Sequence, residues 1–358
     1  MFESLSQLKG KTVLVTGHTG FKVAWLTICL NEICAMVIGY SLDPAGENNL
    51  FLLANLQDKI IDIRGDIRDL KKLRRIFDQY QPEVVFHLAA QPLVKLSYEQ
   101  PVYTYEVNVL GTLNVLEAIR HCDSTKVGLM ITSDKCYENK EWIWGYRETD
   151  SIGGHDPYSS SKGCCEVLVS SYRNSYFPME RFSEHGKVIA SVRAGNVIGG
   201  GDWSLDRIIP DCVRALEANQ NIVIRAPKSI RPWQHVLEPL GGYLTLAEKL
   251  LEKDTFYSGA WNFGPESDNI ITVEKLVYTL LEQWGSGCMI KDEKQSAVHE
   301  AKLLGLDISK AKYHLNWHPK WNITKTIEKT VEWYKNYKKT DVYNLCVHQL
   351  NDYCNVRK

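Results

Sequence analysis

The chain has 358 residues, of which 44% are hydrophobic and 24% are charged. These values are ordinary for a soluble globular protein with one large domain or two smaller ones. A formal net charge of −1 gives no reason to expect nucleic acid or an anionic membrane as a partner. With no signal-peptide pattern and no apolar run near the ~18 residues of a membrane span, we expect a cytoplasmic protein.

Cysteine and histidine are scattered rather than grouped. The ten cysteines include no Cys-x-x-Cys pair, which favours a reduced protein over a disulfide scaffold. His314 and His318 are four residues apart, but Pro319 indicates a turn there. The sequence therefore predicts no metal site.

The first elements are typical of a dinucleotide-binding unit. A predicted strand at 11–16 and a helix at 21–33 flank a glycine-containing turn, the arrangement that seats a pyrophosphate on a helix N-terminus. Val23 stands where the third glycine of the pattern is expected, and we expect it to push the helix away from the strand. The predicted cofactor contacts in this turn are Gly17, His18, Thr19, Gly20, Phe21 and Lys22.

The next strands complete the expected cofactor site. After the strand at 36–41 no Arg or Lys follows within several residues, and Asp43 is the nearest acid, which favours NAD over NADP. The strand at 60–65 ends at Asp66 and Ile67, where adenine is expected. A helix capped by Asp69 runs to residue 80. The strand at 83–88 ends in small residues that allow a cofactor to approach, and the predicted contacts there are Ala89, Ala90 and Gln91.

The fifth predicted strand, 127–132, ends where we expect the chemistry. It leads from Thr132 into Ser133, Asp134 and Lys135, and strand ends carry the ligand sites of parallel sheets. A helix at 158–177 then places two further side chains four residues apart on one face. They are Tyr158 and Lys162, and we expect the ammonium of Lys162 to lower the pKa of Tyr158 from ~10.

The alternation of strands and helices up to residue 193 predicts an α/β fold with a Rossmann-type doubly wound parallel sheet. The character changes after Gly195, where a glycine-rich loop begins. We predict an NAD-binding Rossmann domain at 1–195 and a smaller, partly interwoven C-terminal α/β substrate lobe at 196–338. Residues 339–358 are predicted to form a polar tail.

Motifs along the chain resemble the extended short-chain dehydrogenase/reductase family, and within it the CDP-glucose 4,6-dehydratases. The resemblance spans roughly residues 11–335, and Val23 and Cys34 depart from it. The segments that carry it are 17–22, 87–94, 132–139, 144–148, 157–163, 193–203, 231–239 and 261–265.

This resemblance implies a three-step reaction on CDP-glucose with NAD. Tyr158 takes the proton of the C4 hydroxyl, to which Ser133 hydrogen-bonds, as C4 is oxidised. Asp134 and Lys135 occupy the acid and base positions for loss of water across C5 and C6, and C6 is then reduced. Because a neighbouring Asp and Lys stabilise each other's charged forms, their pairing opposes those roles unless the site is desolvated. Lys162 and Asn108 complete the implied cofactor site.

The resemblance also suggests how the substrate is held. Gln91 and Ser133 are expected at the sugar, and Asn196, Arg207 and Arg231 at the phosphates, where the guanidinium fork suits phosphate oxygens. Arg225 is as readily structural as substrate-binding, His299 and Glu300 are weaker candidates for substrate contact, and His87 fits a core histidine.

Two other readings stay open. One is an epimerase or another nucleotide-sugar dehydratase, although an epimerase needs no acid–base pair after Ser133. The other, motivated by Val23, is a degenerate protein that binds NAD or a nucleotide sugar without catalysis. The resemblance further implies a homodimer formed through the helices at 101–121 and 157–177.

Overall fold

The structure of the protein is a computed structural model, which describes residues 5–291 and 304–356. The strands are β1 (Thr12–Thr16), β2 (Met36–Ser41), β3 (Ile61–Arg64), β4 (Val84–His87), β5 (Val127–Ile131), β6 (Val188–Ala194), β7 (Val197–Ile198), β8 (Ile222–Ile224), β9 (Ile230–Arg231), β10 (Gln234–His235), β11 (Gly259–Phe263), β12 (Ile271–Thr272) and β13 (Met289–Lys291).

The helices surround these strands. They are α1 (Phe21–Glu32), α2 (Leu50–Leu53), α3 (Leu70–Tyr80), α4 (Val94–Glu99), α5 (Pro101–Tyr105), α6 (Gly111–Arg120), α7 (Pro157–Ser175), α8 (Phe182–His185), α9 (Ile208–Glu217), α10 (Leu237–Leu251), α11 (Val273–Trp284), α12 (Ser309–Leu315), α13 (Ile323–Asn336) and α14 (Val342–Asn355). Among the described residues, no helix has the length and apolar character to cross a membrane.

Seven strands form one sheet in the order β11-β6-β5-β4-β1-β2-β3, and all six neighbouring pairs are parallel. This order confirms the predicted doubly wound sheet. The chain reverses direction across the sheet between β1 and β4, and ligands of such sheets bind at the carboxyl ends of the strands beside that point. β5 is buried along its whole length, as a central strand covered on both faces must be.

Local sequence signals explain several helix starts. The side chain of Asp69 accepts a hydrogen bond from the amide of Lys72 and caps α3, as predicted. Asp156 caps α7 in the same way, and Pro157 takes its first position. The predicted helix at 101–121 is present, but it contains a π-helical turn at Glu106–Leu110 between α5 and α6. Such turns are frequent at functional sites.

The C-terminal half is built around short strand pairs and the helices from α9 onward. β11 lies in the predicted substrate lobe, yet it is the edge strand of the main sheet beside β6, so the two halves of the chain share one sheet. The segment predicted as a polar tail contains α14, which buries Cys346, Leu350 and Tyr353. The hydroxyl of Tyr343 donates a 2.7 Å hydrogen bond to Glu32 at the end of α1.

Candidate active site

A cleft of about 1970 Å³ opens at the carboxyl ends of β1, β4 and β5 and extends to α9 and β8. The residues predicted to be catalytic, Ser133, Asp134, Lys135, Tyr158 and Lys162, all line it. So do the predicted phosphate ligands Asn196, Arg207 and Arg231. The fold therefore brings together side chains that lie up to 98 residues apart in the sequence, from Ser133 to Arg231.

The turn after β1 is shaped by glycine. Gly17 has a φ of +80°, and a Cβ placed there would lie 2.9 Å from the backbone of Ala89 after β4. Only glycine satisfies both conditions without strain. Gly20 is the N-cap of α1 and brings no side chain to cap it, so the first turn of the helix faces the cleft with its backbone amides. This geometry suits a pyrophosphate.

The side chains of this turn have different environments. Thr19 is buried and its hydroxyl is 2.9 Å from that of Ser41. His18 is fully buried, bonds to Asp62 at 2.8 Å, and packs so closely on Gly39 that a Cβ there would meet its ring at 2.4 Å. Burial lowers the pKa of His18, although Asp62 opposes the shift.

Val23, which stands at the position of the missing third glycine, lines the cleft. Its side chain is 5% exposed and belongs to the main hydrophobic core, while the amide of Val23 bonds to the carbonyl of Gly20 at 3.1 Å. The valine is therefore accommodated in the packing of α1.

The residues predicted to meet adenine lie on the far side of β1. Asp66 and Ile67 line the cleft, and Tyr40 fixes the loop by donating a 2.7 Å hydrogen bond to the carbonyl of Asp66. Arg64 is the last residue of β3, two positions before Asp66. Its guanidinium is engaged by the carboxylate of Asp62 at 2.7 Å.

Three predicted contact residues lie behind the wall of the cleft. His18, Gln91 and Asn108 were predicted to contact a ligand, but they are buried and do not line the cleft. The side chain of Asn108 accepts a hydrogen bond from the backbone amide of Gln91 at 2.8 Å and donates one to the hydroxyl of Ser161 on α7 at 2.9 Å. The side-chain amide of Gln91 donates a hydrogen bond to the hydroxyl of Thr104 at 2.9 Å. These contacts support a role in shaping the site, whereas direct ligand contact by these residues stays a prediction.

The end of β5 turns at once into a 3₁₀ turn, Asp134–Cys136. The hydroxyl of Ser133 donates to Oδ1 of Asp134 at 2.9 Å and accepts from the amide of Lys135 at 3.2 Å. Asp134 is 3% exposed, and Gly195 faces it so closely that a Cβ there would lie 3.1 Å from its Oδ2. Burial raises the pKa of Asp134, while the nearby cations of Lys135 and Lys22 oppose the rise. The desolvation that an acid role requires is thus built into the fold.

Tyr158 corrects one expectation. Burial raises the pKa of Tyr158 to about 12, although a hydrogen bond with the side chain of Ser133 opposes the shift. In the described structure the neighbouring charges that act on the phenol are those of Asp134, Arg207 and Asp156 rather than that of Lys162. Lys162 itself is buried, which lowers its own pKa. The prediction that Lys162 lowers the pKa of Tyr158 is therefore wrong for this structure, because burial raises that pKa.

A buried ion pair between Glu166 and Arg193, which the sequence did not predict, lies at this end of the sheet. Glu166 lies one turn after Lys162 on α7 and accepts a 2.8 Å hydrogen bond from Arg193 of β6. It also accepts from the hydroxyls of Thr132 and Ser191. The signal in the sequence was that Glu166 follows Lys162 by four residues, which places both on one face of the predicted helix. Because the pair is well hydrogen-bonded, it fixes α7 against the ends of β5 and β6.

Lys22 also makes a contact that the sequence did not predict. Its ammonium donates a 2.7 Å hydrogen bond to the hydroxyl of Tyr243 on α10. Burial lowers the pKa of Lys22 to about 7, with Asp134 opposing the shift and the cations of Lys162 and Arg207 adding to it. A residue of the glycine turn therefore belongs electrostatically to the catalytic end of the cleft.

The predicted phosphate ligands extend toward the open end. Arg207 precedes α9 and donates to Asp202 at 2.9 Å, and Arg231 of β9 donates to the carbonyl of Ile230. Arg225 also lines the cleft, mostly exposed, 3.7 Å from Asp206. His299 and Glu300 lie outside the described residues. His87 is a buried core residue as predicted, since its ring nitrogens bond to Thr16 at 2.8 Å and Thr112 at 3.0 Å.

A model of the family described as GDP-mannose 4,6 dehydratase matches residues 14–330 of the chain. Among curated proteins, the chain is 49% identical over 346 residues to CDP-glucose 4,6-dehydratase of Salmonella typhimurium, covering 96% of each. It is 26% identical to dTDP-glucose 4,6-dehydratase 1 of Escherichia coli, covering 90% of this chain and 92% of that protein.

Solved structures share the fold. The UDP-glucose 4-epimerase of Thermotoga maritima, solved with UDP-glucose, superposes with a TM-score of 0.78 at 23% identity, over 92% of this chain and 100% of that one. The UDP-glucose 4-epimerase of Thermus thermophilus, solved with NAD, gives 0.77 at 24% identity, over 91% and 99%. At these identities the likeness establishes the architecture alone.

Proposed function

Because the chain belongs to the GDP-mannose 4,6 dehydratase family, we propose that it catalyses the NAD-dependent dehydration of CDP-glucose to CDP-4-keto-6-deoxyglucose, as a hydro-lyase. One observation carries this proposal: a single cleft holds an oxidation pair, Ser133 and Tyr158, directly beside an elimination pair, Asp134 and Lys135. The Salmonella relative, which covers nearly the whole chain, supports CDP-glucose as the substrate.

The residues present fit NAD. A Cβ at position 17 would close the approach between the β1 turn and Ala89, and α1 presents uncapped backbone amides behind Gly20. We assign the pyrophosphate to Gly17–Lys22, the adenine to Asp66 and Ile67, and the nicotinamide end to Ala89, Ala90, Thr132, Tyr158 and Lys162. When bound there, NAD accepts the hydride of C4 and later returns it to C6.

The residues of this chain carry out the proton chemistry. Tyr158 receives the proton of the C4 hydroxyl, and Ser133 hydrogen-bonds the same oxygen. The C4 ketone acidifies the hydrogen on C5, which Lys135 removes as base. Asp134 protonates the C6 hydroxyl, which leaves as water, and Lys135 returns a proton to C5. Burial of the Asp134 carboxyl suits this role, because an acid must hold its proton near working pH.

The substrate's diphosphate is assigned to the open end of the cleft, where Arg207, Arg231 and Asn196 line the wall. Guanidinium groups suit phosphate oxygens because they donate in pairs. Two solvent-facing apolar side chains on the helices at 101–120, one on α7 and one at the C-cap of α7 support the predicted homodimer through these helices. They are Val102 and Leu110, and Val167 and Tyr176.

The epimerase reading is less well supported, because reversing one sugar centre does not require the buried Asp134 beside Lys135. The reading as a non-catalytic binder rested on Val23, which the core accommodates. Nothing at position 23 therefore argues against a working cofactor site.

The test is to incubate the purified protein with NAD and CDP-glucose and to follow the absorbance that 4-keto sugars develop in alkali. CDP-glucose deuterated at C4 should give product with deuterium at C6. Parallel reactions with UDP-, GDP- and dTDP-glucose test the nucleotide. If the deuterium stays at C4 or appears in solvent, the protein is not a 4,6-dehydratase. If another nucleotide-glucose is strongly preferred, the assignment of CDP-glucose is wrong.

A further inference from the structure

One carboxylate joins the two halves of the chain at the cleft. Asp206 lies between β7 and α9, and its Oδ2 is 3.7 Å from the ammonium of Lys95 on α4. Its Oδ1 is 3.7 Å from the guanidinium of Arg225, directly after β8. All three residues line the cleft. Since α4 follows β4 in the first half of the chain and β8 belongs to the second, Asp206 holds one cation from each half.

Both contacts of Asp206 are loose. A separation of 3.7 Å exceeds the ~2.7–3.2 Å of a hydrogen bond from a nitrogen donor, and the side chains of Lys95 and Arg225 are 67% and 68% exposed. Water screens such pairs, so they contribute little to stability. Arg207 differs, because it donates to the buried Asp202 at 2.9 Å. The bridge at Asp206 can therefore open without disturbing the contact that holds the start of α9.

The backbone at Asp206 is unusual as well. Its φ of +59° lies in the left-handed region, which a residue other than glycine adopts at a cost in free energy. Conformations of this kind cluster at ligand sites and switch segments. The residues on either side are anchored, since Asp202 accepts hydrogen bonds from the amide of Ser204 at 3.1 Å and from Arg207. The fold thus holds the Asp206 carboxylate at the two cations despite the cost.

The two cations suit a larger anion than a carboxylate. A diphosphate carries more charge and more acceptor oxygens than the side chain of Asp206. Guanidinium donates in pairs to phosphate oxygens, and an ammonium binds phosphate as a point charge. The proposed substrate carries a diphosphate, and Arg207, which follows Asp206 directly in the sequence, is one of its assigned ligands. An incoming diphosphate and the Asp206 carboxylate are thus alternative partners for the same two cations.

We propose that Lys95 and Arg225 bind the diphosphate of the nucleotide sugar, and that Asp206 occupies these cations until the substrate displaces it. This inference rests on the proposed function and deepens it by naming two further ligands of its substrate. It requires opposite effects from neighbouring substitutions. Removing either cation weakens substrate binding, whereas neutralising Asp206 strengthens it.

Calorimetric titration with CDP at fixed ionic strength measures both effects. We expect Lys95→Met and Arg225→Met each to weaken CDP binding by about tenfold, the usual worth of a charge-assisted hydrogen bond. Asp206→Asn should tighten it by about 2- to 5-fold, the range that exposed ion pairs span. Asparagine keeps the shape of the side chain and tolerates the left-handed backbone. With CDP-glucose these changes should appear in KM and leave kcat unchanged.

Two variants separate competition from simple charge repulsion. If Asp206 acts by occupying the cations, the gain from Asp206→Asn disappears when Lys95→Met and Arg225→Met are already present. Repulsion between Asp206 and the phosphates would preserve the gain in that triple variant. Asp211→Asn is the matched control, because Asp211 also lines the cleft but its carboxylate pairs with Arg214 of its own helix. It should leave CDP affinity nearly unchanged.

Titration with NAD separates the two diphosphates that the cleft accommodates. All these variants should bind NAD as the wild type does, and thermal melting establishes that each is folded. A loss of NAD affinity as large as the loss of CDP affinity would assign the cations to the cofactor and overturn the proposal. Unchanged CDP affinity in Lys95→Met and Arg225→Met would overturn it too. So would a gain in Asp206→Asn that is absent, persists in the triple variant or is matched by Asp211→Asn.

These titrations do not need turnover, so the two proposals fail separately. If the wild type forms no 4-keto-6-deoxy product but CDP affinity responds as described, the proposed function is wrong and the diphosphate site stands. If product forms and CDP affinity does not respond, the diphosphate site at Lys95 and Arg225 is wrong and the proposed function stands.

Discussion

The glycine turn after β1 and the turn after β5 lie at the same edge of one sheet, yet they are built in different ways. The first, residues 17–23, is defined by backbone: a left-handed Gly17 and an N-cap glycine leave amides facing the cleft. The second, residues 132–135, is defined by side chains: those of Ser133 and Asp134 are buried and hydrogen-bonded to each other, and burial raises the pKa of Asp134.

This difference determines which substitutions each of the two turns tolerates. Binding through backbone amides depends on φ and on empty space, so unusual side chains such as His18 and Val23 are tolerated when the core can pack them. Catalysis through protons depends on the identity of each side chain and on its burial. Substitutions in the first turn should therefore alter cofactor affinity, and those in the second should alter turnover.

The largest effect is expected at Tyr158. Tyr158→Phe removes the group that takes up the C4 hydroxyl proton and should lower kcat by about 10²–10⁴-fold, with substrate affinity little changed. Tyr172→Phe is the matched control, because Tyr172 lies on the same helix but its hydroxyl bonds to Glu117 at 2.7 Å. Steady-state kinetics with calorimetric binding decide the matter, and near-normal turnover of the Tyr158→Phe variant would refute the assignment.

Lys135→Ala should lower kcat by about 10²–10³-fold, but by stopping a later step. The variant should still reduce nicotinamide on mixing, because oxidation at C4 does not use Lys135. Mass spectrometry of the sugar from deuterated water should show no deuterium at C5. Exchange at C5 as fast as in wild type would show that another group is the base.

A smaller effect, confined to binding, is expected at Gly17. Gly17→Ala introduces a Cβ at a φ of +80° and 2.9 Å from the backbone of Ala89, so NAD affinity should fall by about tenfold or more, since a left-handed alanine alone costs ~1–2 kcal/mol. Gly46→Ala is the control: its φ is +74°, but nothing lies within 4 Å of the added Cβ. Calorimetry with NAD compares them, and equal losses of affinity would assign the effect to backbone strain rather than to the site.

Much of the fold was predictable because its signals are local. The runs 36–41 and 127–132 are apolar and short, and Asp69 stands at the start of a periodic segment, so β2, β5 and α3 follow within a residue or two. The π turn at Glu106–Leu110 and the helix α14 were not predicted. The first has no local sequence signal here, and the second is stabilised by packing on α1 that only the folded chain reveals.

The candidate site was predictable in its membership more than in its electrostatics. Tyr158 and Lys162 do share a helix and a cleft, but spacing on a helix does not report burial, which here determines the pKa of the phenol. Likewise Gln91 and Asn108 sit at the expected strand end and helix, but the side chain of Asn108 bonds to the backbone of Gln91, and the side chain of Gln91 bonds to Thr104. Contacts between distant segments, such as Lys22 with Tyr243, cannot be read from spacing.

The smallest predicted effect lies at Lys22, which belongs to the first turn by sequence and faces the second. Asp134 is surrounded by Lys22 from α1, Lys135 beside it, Tyr158 from α7 and Tyr243 from α10. The pKa of Lys22 is lowered by burial to about 7, so below that pH it is an ammonium and stabilises the Asp134 carboxylate. Replacing it by a neutral side chain should raise the pKa of Asp134.

Because Asp134 must hold its proton to act as the acid of the elimination, activity falls as pH rises through its pKa. Lys22→Met should therefore move this basic limb of the profile toward higher pH, by roughly half a unit to one unit for the loss of one nearby charge. The measurement is kcat against pH at saturating NAD and CDP-glucose. Tyr243→Phe, which keeps the amine but removes its hydrogen-bond partner, should leave the limb nearly in place. A basic limb that stays fixed or moves to lower pH in Lys22→Met would show that Lys22 acts on the cofactor side alone, and the separation between the two turns would then be complete.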